Sequence, residues 1–484
     1  MHMRTVILFQ RSIFILTLLC IALFPVFSLP FLFFTALLVV LTWTFSILKT
    51  GNLDISASKP VIKLGLFTAI CFLSFLFSPS HTLTIVYTPY GPIFWLSVLL
   101  LLLVTPPLII KQSQKMQSWP IPLILTGIYI IFFLSRYAPF FLSQNLPIPL
   151  GLHFLRSTWD TPLHFLFGIG PERFLEYFTR FRPVSMNTSP IWSKQCTENA
   201  SLMLHIGSSY GVLGIITYSL FLLQILISWK KPLQKIQAIL LILFSLFAPP
   251  TSILPMLTIV SCVLSTDTRH LLHFQLKKWA RWLLAGSLVI ALSLSAWGLF
   301  RWQYGVWLVR QAMSEGKKGN GSTMYLLLKK TLQTNPNNPQ YHTALSQAGL
   351  LLIQGIISNA PLKNNKLIFS NENKTLIQTL ATRSIQEAKT AISLSPDDVR
   401  TWTNLTSIYH GLIGLVKDSD TWEETSYETI FILDPTNPIH HVSLGNLYMM
   451  MGKDMEVKAE FQKALTLKPD YTDAWRGLEA ISKP

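Results

Sequence analysis

The sequence is short of charge. Of its 484 residues only 13% are charged, against about 25% in an average soluble protein. Acidic residues are scarcest, 23 against 39 Lys and Arg. This shortage argues against an ordinary soluble enzyme. Cysteine is nearly absent too, with four residues that build neither a disulfide framework nor a zinc spacing. Cys20, Cys71 and Cys262 fall inside apolar runs, and Cys196 stands alone. The chain lacks a phosphate-binding Gly-Lys loop and a dinucleotide fingerprint. Disorder is excluded, because 50% of the residues are hydrophobic.

Long apolar runs are what the chain does have. A membrane span needs about 20 mostly apolar residues. Nine candidates are read at 12–28, 31–48, 62–78, 92–110, 119–135, 202–228, 236–249, 252–265 and 279–300. The net charge of +16 follows this division: residues 1–300 hold 20 Lys and Arg against 6 Asp and Glu, whereas 301–484 hold 19 against 17. Cations that alternate between loops point to membrane orientation rather than to nucleic acid, so no nucleic-acid partner is expected. Arg4 and Arg11, then Lys49, Lys59 and Lys63, then Lys111 and Lys115, mark one side; Lys230, Lys231 and Lys235, and later Arg269, Lys277, Lys278 and Arg281, mark it again. The intervening turns near Pro30, 79–91 and 249–252 are bare. The N-terminus is therefore expected in the cytoplasm and residues 301–484 outside.

The C-terminal third follows helical spacing and carries a repeat. Leu444, Gly445, Tyr448, Phe461, Ala464 and Pro469 fall where a 34-residue tetratricopeptide repeat places its large, small and helix-ending residues. Trp402, Leu405 and Tyr409 precede them, ending at Pro435; Ala388 and Ala391 end at Pro396; a first unit ends at Pro336; Trp475 and Leu478 open a last one. The proline spacings of 60, 39 and 34 residues place insertions in two units, one of them at 357–375. The expected fold is thus all-α: a polytopic transmembrane helical bundle over 1–300 with an outer loop at 136–199, a linker at 301–321, and a tetratricopeptide-repeat solenoid over 322–484. Such stacks offer interaction surface, so a protein partner is expected at the repeats.

One loop breaks the charge alternation. The outer segment 136–199 holds Arg136, Arg156, Arg173, Arg180, Arg182 and Lys194. Long loops translocate regardless of charge; alternatively, these guanidinium groups grip phosphate oxygens at the outer surface. The stretch reads Arg156-Ser-Thr-Trp159-Asp160, then Gly168-Ile169-Gly170-Pro171-Glu172-Arg173-Phe174, then Glu198-Asn199, and finally Gly211-Val212-Leu213-Gly214. It resembles the O-antigen ligase and polymerase superfamily of bacterial membrane glycosyltransferases, some of which also end in tetratricopeptide repeats.

The resemblance implies metal- and cofactor-free transfer of a glycan from an undecaprenyl-diphosphate carrier to an acceptor on the outer face of the bacterial cytoplasmic membrane. Arg156, Arg173, Arg180 and Arg182 would bind the diphosphate, and Asp160 would orient Arg156. Trp159, three residues after Arg156, would share its helix face. Where relatives carry His-Asn before the Gly-x-x-Gly, this chain has Ala200-Ser201. The general base would then fall to Glu198, if burial raises its pKa, or to His205 just inside the sixth span. Each residue has an ordinary alternative: an interfacial or solvated cation, in contact with membrane lipid, a surface carboxylate, or a packed histidine. The alternative for the whole chain is a non-catalytic membrane anchor carrying a repeat scaffold for envelope protein assembly. Transport is a weaker alternative, since the spans hold almost no ionisable residues.

Overall fold

The computed structural model describes residues 52–56, 59–77, 146–170, 173–228, 232–247, 271–363, 366, 367 and 369–482, with single positions at 44, 47, 48 and 250. Five expected spans, 12–28, 31–48, 92–110, 119–135 and 252–265, lie outside the described residues apart from three positions of the second. Two compact units emerge. One gathers the described residues up to Phe174 and those from Cys196 to Leu299; the other gathers Leu175–Gln195 and everything from Phe300. The segment that the sequence reading leaves in the outer loop is thus shared between both units.

In the first unit, strand β1 (Asn52–Ser56) is followed by α1 (Lys59–Phe77), α2 (Ile148–Thr158), α3 (Pro162–Phe167) and α4 (Phe174–Arg180), whose first residue belongs here. Then come α5 (Leu202–Ser228), α6 (Pro232–Phe247), β2 (Leu271–Gln275) and α7 (Lys278–Lys317), of which the residues up to Leu299 belong here. The expected spans 62–78, 202–228, 236–249 and 279–300 fall on α1, α5, α6 and α7. Among the described residues α5 alone is both long and apolar enough to cross a membrane; Ile62–Cys71 and Ala238–Phe247 are shorter apolar stretches. The nine-span expectation therefore reduces here to one full-length candidate. α5 is the hub: α1, α2, α3 and α6 all pack against it. The fully buried Phe67 of α1 meets Tyr210 edge-on at 6.0 Å and Tyr218 at 5.2 Å. β1 and β2 pair antiparallel, Asn52 opposite Gln275 and Ser56 opposite Leu271.

The expected linker at 301–321 is helix for most of its length. α7 contains no proline and continues to Lys317; it stops where Gly319 takes φ +84°, a left-handed conformation that costs a residue with a Cβ.

The second unit is a solenoid of helix pairs. α8 (Gly321–Thr334) packs with the end of α7, burying Ala312, Met324 and Leu328. Next are α9 (Pro339–Ser358) with α10 (Asn371–Leu394), α11 (Val399–Gly411) with α12 (Ser419–Leu433), α13 (Pro438–Met450) with α14 (Asp454–Leu467), and a closing α15 (Thr472–Ser482). The prolines explain the punctuation. Helices end at Thr334, Leu394, Leu433 and Leu467, each two residues before Pro336, Pro396, Pro435 or Pro469. The next helix starts three residues after each proline. In three of these turns the residue before the new helix caps it: Asn338 accepts from Gln340 N–H, Asp398 from Arg400 N–H and Asn437 from Ile439 N–H. Six residues after the proline a ring N–H returns to its carbonyl: His342 to Pro336 O, Trp402 to Pro396 O and Trp475 to Pro469 O. The insertion expected at 357–375 contains a small hairpin, β3 (Leu362–Lys363) with β4 (Lys366–Leu367).

Small residues let the pairs close. The Phe461 ring is fully buried between Gly445 and Gly477, where an added Cβ would stand 2.8 and 2.4 Å from it. Val457, at a position that usually holds a small residue, is also fully buried in this cluster.

Candidate functional site

The two glycine motifs of the outer segment meet in the first unit. α5 kinks at Gly211, with φ +67° and ψ −166°. Carbonyls turned out of a helix at a kink need donors. The Gly168-Ile169-Gly170 turn supplies them: Ile169 N–H donates to Ser208 O at 3.0 Å and Gly170 N–H to Ser209 O at 3.1 Å. Ser74 of α1 adds a hydroxyl to Ser209 O at 2.7 Å. The approach is backbone on backbone. A Cβ on Gly168, itself at φ +75°, would lie 2.3 Å from the Ser209 carbonyl carbon, and one on Gly211 would lie 2.4 Å from Leu166 O. Asn199, almost fully buried, ties the entry of α5 to α2. Its amide donates to Gly151 O and to Ser208 Oγ, and its own oxygen accepts Ala200 N–H. Trp159 is the residue that ends α2; it donates from its indole to Gly207 O at 3.1 Å instead of sharing a helix face with Arg156.

The expected site residues fall in both units. Arg156 is exposed on the last turn of α2. Asp160 does not hold it: the carboxylate pairs with His164 Nδ1 at 2.6 Å, four residues on, where α3 brings the imidazole back over it. Arg173 is buried in the first unit. Arg180 and Arg182 belong to the second. Arg180 reaches the Asp397 carboxylate at 3.5 Å, and buried Arg182 donates to the side-chain oxygen of Asn187. Arg156 and Arg173 thus belong to one unit and Arg180 and Arg182 to the other, with Arg182 donating within the protein. His205 is buried; its Nδ1 accepts Asn199 N–H at 3.4 Å, and Phe174 packs on its ring. That leaves it as a packed histidine at the head of α5. Glu198 keeps solvent exposure, yet crowding by protein on its other sides pushes its carboxyl up to about 7. Cys71 and Cys196 are buried thiols outside any disulfide. Among the described residues no three His, Cys, Asp or Glu side chains come together as a metal site.

The sequence reading missed a clamp in the second unit. Residues 175–195 run across the proline turns of successive repeats. Arg180 takes the turn at Asp397. Thr436 Oγ1 donates to Arg182 O at 2.8 Å. Asn187, fully buried in a short 3-10 turn (Val184–Thr188), donates to Thr436 O at 2.9 Å and to Leu467 O at 3.1 Å. Lys468 answers from the last turn, donating to Asn187 O at 2.9 Å with its ammonium 4.8 Å from the Trp192 ring centre. Trp192 packs edge-on against Tyr471 at 5.2 Å. The only hint in the sequence is the short, largely polar run 185–189 between Pro183 and Pro190, which periodicity does not weigh.

Beside the clamp lies a cleft of about 460 Å³, walled by α11, α12 and α13 and rimmed by Ser193 and Gln195. On its wall His410 Nδ1 sits 3.2 and 3.1 Å from the two oxygens of buried Glu423. That hydrogen bond raises the imidazole pKa, and burial raises the Glu423 carboxyl.

No family model matches the chain, and no curated protein matches it. Solved structures are similar to part of the chain. MamA is 15% identical, covers 35% of this chain and 81% of its own, and superposes with a TM-score of 0.26. TTC0263, a thermophilic TPR protein of Thermus thermophilus, gives 18%, 37%, 98% and 0.21 in the same order. YrrB, described as a TPR protein with an unusual peptide-binding site, gives 9%, 36%, 90% and 0.20. Superpositions this loose transfer no ligand, and the repeat assignment rests on the helix pairs and their proline turns.

Proposed function

We infer that the protein is a membrane-anchored helical-repeat scaffold that holds a protein partner through residues 300–484. The observation that carries this reading is the repeat stack clamped across its turns by residues 175–195, which builds an ordered surface from interlocked pairs. The anchor is a multi-pass bundle in the bacterial cytoplasmic membrane, with the N-terminus inside and the repeats outside. Three features support it: the apolar α5, the pairing of β1 with β2 from loops that the cations put on one side, and the exposed rings at both ends of the apolar part of α7. Trp279 and Trp282 stand at one end and Trp297 and Phe300 at the other, all more than 60% exposed. Their separation, 15 to 21 residues at about 1.5 Å each, suits aromatic belts at two membrane interfaces.

A second reading is glycan transfer from an undecaprenyl-diphosphate carrier. It is favoured by Glu198, whose carboxyl near 7 suits a general base, and by the contact between the two glycine motifs. One experiment separates the readings. Replacing the chain in cells by residues 1–300 should abolish its cellular phenotype, while Arg156→Lys and Arg173→Lys should leave it intact. Loss of glycan transfer in an inserted, folded Arg173→Lys or Glu198→Gln protein, with the truncation tolerated, overturns the scaffold reading.

A further inference from the structure

The cleft walled by α11, α12 and α13 has a chemistry that neither reading uses. Its volume of about 460 Å³ falls within the roughly 300–1,000 Å³ of small-molecule sites. Its lining contains no lysine or arginine. Its exposed polar groups are the hydroxyls of Ser193 and Ser407 and the carboxamides of Gln195 and Asn446, whereas Thr403 and Thr406 donate to backbone carbonyls and Asn437 is held by Ile439 N–H and Asp434. Groups of both kinds donate and accept hydrogen bonds. The ionisable groups are already engaged: His410 by Glu423, and His440 Nε2 by Asp434 at 2.9 Å. Ile439 and the ring of Tyr427 are the apolar lining residues. An anionic ligand would find neither lysine nor arginine, and imidazoles already held by the carboxylates of Glu423 and Asp434. A peptide bound by apolar side chains would find a single aliphatic residue. A ligand dense in hydroxyls, each a donor and an acceptor, satisfies these exposed hydroxyls and carboxamides best.

We propose that the cleft is a binding site for a short neutral saccharide, completed by Ser193 and Gln195 of the clamp. The site lies within the second unit and does not depend on the scaffold reading. Because the clamp supplies one rim, occupancy also reports whether 175–195 is closed on the repeats.

The test titrates the full chain in detergent micelles with chitotriose, cellotriose and maltotriose, followed by calorimetry and saturation-transfer NMR. A neutral Ser/Thr hexapeptide and inorganic pyrophosphate serve as comparison probes. At least one trisaccharide is expected to bind, with no loss as salt is raised, since no ion pair to the ligand forms. Ser407→Ala, Asn446→Ala and Gln195→Ala each remove one exposed hydrogen-bonding side chain and should weaken binding by about tenfold. Ser393→Ala, on α10 away from the cleft, should change nothing. The proposal is overturned if only the peptide binds, if only pyrophosphate binds, if no trisaccharide binds, or if binding survives all three cleft substitutions. None of these outcomes touches the truncation test of the scaffold.

Discussion

The two units solve the same problem, carbonyls that a helix cannot satisfy, in opposite ways. At the α5 kink the answer is chiefly backbone: Gly168 and Gly211 remove their side chains so that two main chains meet, and Ile169 and Gly170 donate directly, with the Ser74 hydroxyl and the Trp159 indole adding to them. At the repeat turns the donors are side chains: the rings of His342, Trp402 and Trp475, and Asn187 of the clamp. Backbone contact tolerates no added atom. Side-chain contact loses one hydrogen bond at a time. Substitutions in the first unit should therefore be all-or-none, and those in the second graded.

The largest effect is expected at Gly168→Val. A β-branched side chain at φ +75° against the Ser209 carbonyl combines backbone strain with overpacking, roughly 3–5 kcal/mol. Limited proteolysis should cut the first unit and spare the repeats; resistance in both units would show that the kink relaxes. Phe461→Ala should cost about 3–5 kcal/mol by emptying the space between Gly445 and Gly477, and hydrogen exchange should localise the loss to α13–α15. Asn187→Ala leaves Thr436 O and Leu467 O short of a donor and takes the acceptor from Arg182, for about 2–3 kcal/mol. It should free 175–195 to proteolysis while the helix pairs stay folded. Asn437→Ala removes one cap, about 1 kcal/mol; a thermal melt with a much larger loss would contradict the graded picture.

The smallest effect is on pH dependence. The hydrogen bond to Glu423 raises His410 above its ordinary value; in His342, burial pulls the pKa down but hydrogen bonds to Glu387 and Pro336 O win and raise it. A raised histidine binds its proton more tightly when folded. Its contribution is complete below the unfolded value near 6.5 and is lost as pH rises through the folded value. Repeat stability should thus fall modestly from pH 6 to 8, and His410→Gln should flatten the slope. Buried Glu423, also raised, acts in the same sense at lower pH.

Much of the second unit was legible because its information is local. Pro336, Pro396, Pro435 and Pro469 stop helices wherever they stand, and Ala388, Ala391 and Ala464 are buried as the repeat requires. Of the kink, the glycines of 168–170 and 211 were visible, but not that they touch. Arg180 and Arg182 read as ligand-binding cations, since charge and position alone cannot reveal Asp397 or Asn187 as their partners. Asp160 was assigned to Arg156 by proximity in sequence, whereas the α3 turn gave it to His164.

Composition, apolar run length and proline spacing determined by themselves that this chain has an apolar half and a helical-repeat end, because desolvation and helix termination act on each stretch separately. Which polar groups are free for a ligand was decided only by tertiary structure. A guanidinium or an amide goes to whichever carbonyl or carboxylate folding brings beside it, and for Arg180 and Asn187 those partners lie more than two hundred residues further along the chain.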